Sequence, residues 1–461
     1  MQPTCYPRFI EVVLPAKLSY DVMCLAGPAA GKLKRWVALA TDPSLPTATI
    51  KEEQVIASTR FPSNVKNITP ELLTSVLAER RPQVVVENLR VIERARCGDG
   101  IASTADRVVL GLDYAPGCDA GLPSRVVLKT LLLHRYLRPG LPSLQRLSRT
   151  LNRTDSIPVL GKQIRPRAFS LITFYQKFFP QAPEAMYLTE VRFYHDIRHE
   201  LDIETPQAFA SVFDEKTGQF GVVMEDLSLR SARFPNATTP VTLEEITSIV
   251  TLLAKLHAHL WASPRLEQDL SWVPTTSSGG MYPVFDAIGL DLIRDQVKKN
   301  KFKQELIAPL KRSLDQMWKD LWKVQEIFNA GPITLLHGDP HIGNTYLLPD
   351  GQGGLIDWQL MVKGCWANDL TYLLVTGLEP EVRRKHERDL ITLYLEELRR
   401  RGVEQAPSEN EAWKCYRQGV VWGLVIGWLI TPPQNYGQAI TEANISRIVT
   451  AAQDLETFQA L

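Results

Sequence analysis

One stretch constrains this chain more than any other: Leu335 to Gln359, LLHGDPHIGNTYLLPDGQGGLIDWQ. Ile333, Leu335 and Leu336 form an apolar run that carries a buried segment up to His337-Gly338-Asp339, and Asn344 follows Asp339 five positions later. Tyr346, Leu347 and Leu348 predict a strand, Pro349-Asp350-Gly351 a turn, and Gly354-Leu355-Ile356 a return strand that delivers Asp357. A loop, a tight hairpin and an aspartate at its end must therefore lie close together, whatever surrounds them.

Those polar groups are the set that phosphoryl transfer from a nucleotide requires. One carboxylate must accept the proton of the acceptor hydroxyl, and Asp339 is the candidate. Oxygen ligands must hold Mg²⁺ against the phosphates, and Asn344 and Asp357 supply them. The spacing D-x-x-x-x-N is that of the protein-kinase catalytic loop. Two departures stand out: the loop begins His-Gly-Asp rather than His-Arg-Asp, and the second aspartate sits in Asp-Trp-Gln rather than Asp-Phe-Gly.

HGDPHIGN followed by IDWQ resembles the aminoglycoside phosphotransferase superfamily, and within it the choline kinase and ecdysteroid kinase-like branches. The resemblance implies an α+β, protein kinase-like two-lobe fold with a β-rich N-lobe and a mostly helical C-lobe. It implies an ATP- and Mg²⁺-dependent phosphotransferase acting on a hydroxyl group of a small molecule. On this reading residues 1–67 are an N-terminal extension, 68–224 the N-lobe with a basic insert at about 131–183, and 225–461 the C-lobe.

Composition bears on partners and compartment. With 461 residues there is room for two lobes and a shared cleft; a formal net charge of +1 argues neither for nor against nucleic acid, and no nucleic-acid partner is expected. The six cysteines are scattered, without a C-x-x-C pair, so they read as free thiols in a reducing compartment rather than as a zinc site. No apolar run reaches membrane-spanning length, Gly419 to Ile430 being the longest, and the N-terminus lacks a basic-then-apolar signal. A cytoplasmic location is expected.

Along the chain, frequent prolines up to Pro62 break the first residues into short pieces. Gly27 to Lys32 is one residue short of a phosphate-binding G-x-x-x-x-G-K motif, and Leu33 stands where a hydroxyl must meet Mg²⁺, so that reading is refused. Thr69 and Pro70 open a helix. Val84 to Val86 with Leu89 to Ile92, then Asp106 to Asp113, then Ser124 to Thr130 predict strands, the last carrying Lys129. Backbone groups from Gly100 to Ser103 lie in the turn where phosphate would bind. Lys129 needs a helical glutamate partner, and Glu190 in YLTEVRFYHDI is the candidate. Between them Arg135 to Lys177 is strongly basic, and two readings stay open: a solvated helical insert, or contact with an anionic partner or membrane surface.

Phe209 to Phe213 and Phe220 to Met224 predict two further strands, and the resemblance makes Met224, Glu225 and Leu227 the hinge where adenine would pair. Thr242 and Glu245 form a capping box. His257 and His259 on that helix, like His337, are expected to support the catalytic loop from within. Asp369, in Trp366-Ala-Asn-Asp369, resembles the family's loop-bracing aspartate. Trp413, Tyr416, Val420, Leu424 and Trp428 recur at helical spacing, and Trp422 and Trp428 are the candidate acceptor contacts. An apolar, aromatic site of this kind favours a steroid-like or choline-like alcohol over an aminoglycoside. A protein kinase is disfavoured by the short path from Asn344 to Asp357, and a silent nucleotide-binding scaffold would need a defect in a set whose polar groups are all present. The acceptor's identity and the oligomeric state stay open.

Overall fold

Alternating valine- and leucine-rich stretches in the first half of the chain become five antiparallel strands. They are β1 (Val86–Ala95), β2 (Asp106–Tyr114), β3 (Arg125–Thr130), β4 (Ala208–Asp214) and β5 (Gln219–Glu225), in the order β1-β2-β3-β5-β4. The structure, a computed structural model, describes residues 61–62, 64–95, 105–131, 181–215 and 218–461. Gly100, Ser103, nearly all of the expected N-terminal extension and nearly all of the basic insert lie outside the described residues.

Period-two alternation gives the sheet two different faces. Val108, Leu110, Leu112, Val126 and Leu128 are buried against helix α1 (Pro70–Ala78), whose Leu73, Val76 and Leu77 meet them. Thr69 caps α1 by accepting a bond from the Leu72 N–H at 3.2 Å. The intervening residues, Arg107, Val109, Val127 and Lys129, line a cleft. The first strand begins at Val86 rather than Val84: the Val84 N–H closes a turn on the Arg81 carbonyl at 3.0 Å, and Val85 bonds the Cys118 carbonyl and the Ala115 N–H outside the ladder.

Helix α2 (Gln181–Arg192) runs on into a π-helical turn at Phe193–Ile197. Two stacked ring pairs fix it: Tyr187 on Phe220 of β5 at 4.4 Å, and Phe193 on Trp358 at 3.7 Å. The same helix is thus packed against both the sheet and the segment following Asp357.

From Leu243 onward the chain is mostly helical. Its main helices are α3 (Leu243–His259), α4 (Leu290–Lys299), α5 (Lys301–Ile307), α6 (Leu314–Asn329), α7 (Ala367–Gly377), α8 (Pro380–Arg400), α9 (Glu409–Trp422) and α10 (Gln438–Asp454). Full capping boxes open α3 (Thr242 with Glu245), α6 (Ser313 with Gln316) and α9 (Ser408 with Glu411). Every residue of α7 is buried, which makes it the central helix. Gly419, Gly423 and Gly427, one turn apart on α9 and its π-helical extension Gly423–Leu429, let that element lie directly on Thr371 and Tyr372 of α7. Among the described residues no helix is long and apolar enough to cross a membrane.

The end of that extension has an unusual cap. Pro432 and Pro433 stand where the N–H groups should bond the carbonyls of Trp428 and Leu429, and neither has an N–H to offer. The Nζ of Lys303, fully buried on α5, substitutes for them, donating to the carbonyls of Trp428 (2.8 Å), Leu429 (3.0 Å) and Thr431 (2.6 Å). Burial pulls this ammonium down to about 7 from 10.5. The unfolded chain therefore binds its proton more tightly, and this group adds stability to the fold as pH rises from about 7 toward 10.5. Lys303→Met orphans the carbonyls and is expected to cost roughly 1–3 kcal/mol at mildly alkaline pH. Urea unfolding at pH 6.5 and 8.5 checks it: the parent's advantage should widen with pH, and an equal gap at both would exclude titration of Lys303.

Candidate functional site

Strand β6 (Thr334–Leu336) is buried and pairs with β9 (Val362–Gly364), so the loop after it emerges from the interior. Gly338 takes φ +84°, and a Cβ there would collide with the Leu360 carbonyl, so only glycine fits between His337 and Asp339. The loop is held from below by Asp369 in the first turn of α7. Its carboxylate accepts the N–H of His337 at 2.7 Å and that of Gly338 at 3.0 Å. His257 reaches the same carboxylate at 3.3 Å and joins Tyr394 at 2.7 Å through its other nitrogen. His259 does not share this task, contrary to expectation. It lies partly exposed beside Glu200, because one hundred degrees per residue turns the second histidine of H-x-H off the buried face.

His337 links the loop to the hairpin. Its Nε2 meets the Ile356 carbonyl at 2.9 Å, and its Nδ1 accepts the Asp339 N–H at 3.3 Å. One ring nitrogen donates and the other accepts, which is the neutral tautomer, and burial lowers the pKa to match. The hairpin is β7 (Thr345–Leu347) with β8 (Gly353–Leu355). Asn344 donates its side-chain N–H to the Asp339 backbone carbonyl at 2.9 Å and to Asp339 Oδ2 at 3.0 Å, which turns its own amide oxygen away from the loop.

Asp357 leaves the hairpin in the left-handed region, φ +68° and ψ +73°. A non-glycine residue there is strained, a condition that concentrates at functional sites. Its Oδ1 lies 3.0 Å from Lys129 Nζ, which is also 2.8 Å from Glu190 Oε1. Three residues far apart in sequence thus form one buried charged group. Burial works to raise Asp357, but the Lys129 ammonium overrides it and holds the carboxylate below its ordinary value. Asp339 goes the other way: burial first, then the neighbouring Asp357 charge, push it well above the usual carboxylate range.

Two cavities meet at these groups. One, of ≈ 490 Å³, runs under the sheet and is lined by Val109, Val127, Lys129, Glu190, the expected hinge residues Met224, Glu225 and Leu227, and Asn344. The other, of ≈ 230 Å³, lies between α2 and the extension of α9 and is lined by Met186, Phe285, Tyr372, Trp422, Trp428 and Asp339 among others. His341, Asp357 and Tyr436 touch both. Trp422 and Trp428 are therefore brought to the second cavity. The other members of the helical stripe are not: Tyr416 is buried with its hydroxyl on Glu387 at 2.9 Å, and Trp413 lies under the Arg388 guanidinium at 3.8 Å. A stripe at helical spacing wraps enough of the helix to face core and cavity at once.

Sequence reasoning missed Tyr372, His341 and Tyr436. Tyr372 bonds Asp339 through its hydroxyl, and its position three residues after Asp369 on one helix face was the available signal. The His341 ring lies among Tyr372 (5.9 Å), Trp428 (5.4 Å) and Tyr436 (5.5 Å), and burial takes its pKa to about 3.

As to Mg²⁺, among the described residues no three His, Cys, Asp or Glu side chains cluster as an all-protein metal cage would need. The residues fit the ion nonetheless. An amide oxygen turned outward at Asn344 and an ionised Asp357 are hard oxygen donors on one side of a cavity, with the remaining positions left to phosphate and water.

A five-stranded sheet with a Lys–Glu pair, above a helical part that carries a braced Asp-x-x-x-x-Asn loop, is a protein kinase-like fold. The family model for the ecdysteroid kinase-like family matches residues 173–404, and the chain belongs to that family. Among solved structures it is similar to choline kinase from Cryptosporidium parvum, at 10% identity, with 85% of this chain and 97% of that one covered and a TM-score of 0.45. It is also similar to spectinomycin phosphotransferase in complex with ADP and spectinomycin (12% identity, 85% and 99% covered, TM-score 0.43) and to choline kinase from Streptococcus pneumoniae (11%, 84% and 98%, TM-score 0.36). No curated protein sequence matches the chain. Identity this low and superposition this loose say nothing about what this chain acts on.

Proposed function

We propose that this protein is an ATP- and Mg²⁺-dependent phosphotransferase whose acceptor is a hydroxyl of a small amphipathic alcohol. The observation that carries the reading is that two cavities meet at His341, Asp357 and Tyr436: one beneath the sheet, lined by Lys129 and Asn344, and an aromatic one in the helical part, lined by Asp339. Residues 68–224 would form the nucleotide lobe and 225–461 the acceptor lobe, with cytoplasmic ATP as the donor.

In this reading Lys129, oriented by Glu190, holds the phosphates, while Met224, Glu225 and Leu227 border the base. Asn344 and Asp357 would hold Mg²⁺, which when bound neutralises phosphate charge. Asp339 orients the acceptor hydroxyl and takes its proton. A carboxylate made more basic by burial is better suited to that transfer than an exposed one. Among the described residues, the only acids lining the second cavity are Asp339 and Asp357. A polycationic aminoglycoside needs more carboxylates than that, whereas a neutral, steroid-like alcohol needs an apolar wall. The family's own name is consistent with such an acceptor.

Mg²⁺-dependent ADP release, measured with sterol-like, choline-like and aminoglycoside acceptors, tests the reading. Release stimulated by the first class alone supports it, and stimulation by kanamycin-like amines alone overturns the acceptor assignment. Trp422→Ala should raise the acceptor KM roughly tenfold, the usual worth of one aromatic contact surface, at unchanged ATP KM. An unchanged acceptor KM would remove Trp422 from the site.

A further inference from the structure

The nucleotide cleft contains a second cation that the reading above leaves without a task. Arg107 stands opposite Lys129 in the β2–β3 ladder, and opposite Ala95 in the β1–β2 ladder. Directly paired residues share a face of the sheet, with Cβ atoms about 5 Å apart. Both side chains accordingly line the same cavity, together with the alternate residues Val109 and Val127. Like charges set opposite one another cost stability unless something compensates them. Lys129 has Glu190 and Asp357. Arg107 has no hydrogen bond or ion pair among the described residues. Glu93, on the same face and opposite Val109, is exposed and makes no ion pair with it.

The charge balance of the cleft makes this guanidinium necessary rather than incidental. Two carboxylates already surround the single ammonium of Lys129, and Asp339 adds a third negative group nearby. A divalent ion between Asn344 and Asp357 would only cancel the excess negative charge of these groups, so the net positive charge that a polyphosphate meets beside them is that of Arg107. Arg107 lies close enough for its charge to act on Asp357, on the side where the strands open toward the cavity. Its planar fork suits a phosphate oxygen pair better than an ammonium does.

We infer that Arg107 is a phosphate-binding residue, contacting the β- and γ-phosphates of the bound nucleoside triphosphate beside Lys129. The inference rests on the kinase reading of this cleft and extends it to a residue that no part of the catalytic-loop motif contains.

The test is calorimetric titration of the full-length parent, Arg107→Gln and Arg107→Lys with Mg²⁺ and non-hydrolysable ATP, ADP or adenosine. For Arg107→Gln the triphosphate affinity should fall roughly 10- to 100-fold, the worth of one charge-assisted hydrogen-bond pair, while adenosine affinity is unchanged. Arg107→Lys should recover part of the loss, and the acceptor KM should not move. Equal affinities for parent and Arg107→Gln, or equal losses for triphosphate and adenosine, would overturn the assignment and leave the kinase reading intact. A parent that binds none of these nucleotides would overturn both.

Discussion

Asp339→Asn should lower turnover by roughly 10²–10⁴, the usual worth of a positioned general base, with nucleotide affinity little changed. The amide keeps the size of the carboxylate. Its oxygen can still accept from the Asn344 N–H, now 3.0 Å from Asp339 Oδ2, and its nitrogen can donate to the Tyr372 hydroxyl. Asp339 also lies beside Asp357, and both are half-buried, so the charge removed was one the fold did not favour. The variant should therefore melt no lower than the parent. Loss of turnover without loss of stability is the signature of a catalytic role, and steady-state kinetics with a melting curve separate it from misfolding. Turnover close to the parent's would remove Asp339 from the chemistry.

The parts of the site legible in the sequence were those written in one short stretch. Asp339, Asn344 and Asp357 are separated by a loop and a hairpin whose turn residues dictate their geometry, so type and spacing sufficed. Helix starts were legible for the same reason: Thr242 with Glu245 is a local, reciprocal pair of bonds. The Lys129–Glu190 contact bridges 61 positions, and only the resemblance to a family pointed to it. The second cavity was not readable, because its walls come from α2, from the Met281 to Phe285 segment and from the end of α9, none of them neighbours in sequence. Neither was the task of Lys303, which depends on two prolines about 130 residues later. His259 was misassigned because adjacency to a buried histidine in sequence says nothing about which side of the helix it takes.

The geometry of Asp357 leads to an outcome that activity alone would not reveal. Asp357→Gly and Asp357→Ala should both abolish Mg²⁺-supported nucleotide binding, since each deletes the charged oxygen donor beside Asn344. They should differ in stability. A residue held at φ +68° suits glycine and penalises any Cβ, so the glycine variant should be more stable than the alanine variant by about 1–2 kcal/mol. Either change leaves Lys129 paired with Glu190 alone, one charge against one, and frees Asp339 from its like-charged neighbour. Because Lys129 holds the ionised Asp357 below its ordinary pKa, both variants should be less stable than the parent at neutral pH, the glycine variant by the smaller amount. Urea unfolding of the three proteins without Mg²⁺, paired with titration by Mg²⁺ and ATP, tests both halves. If Asp357→Gly were less stable than Asp357→Ala, the left-handed backbone at this position would be wrong; if it still bound nucleotide in an Mg²⁺-dependent way, Asp357 would not be a ligand.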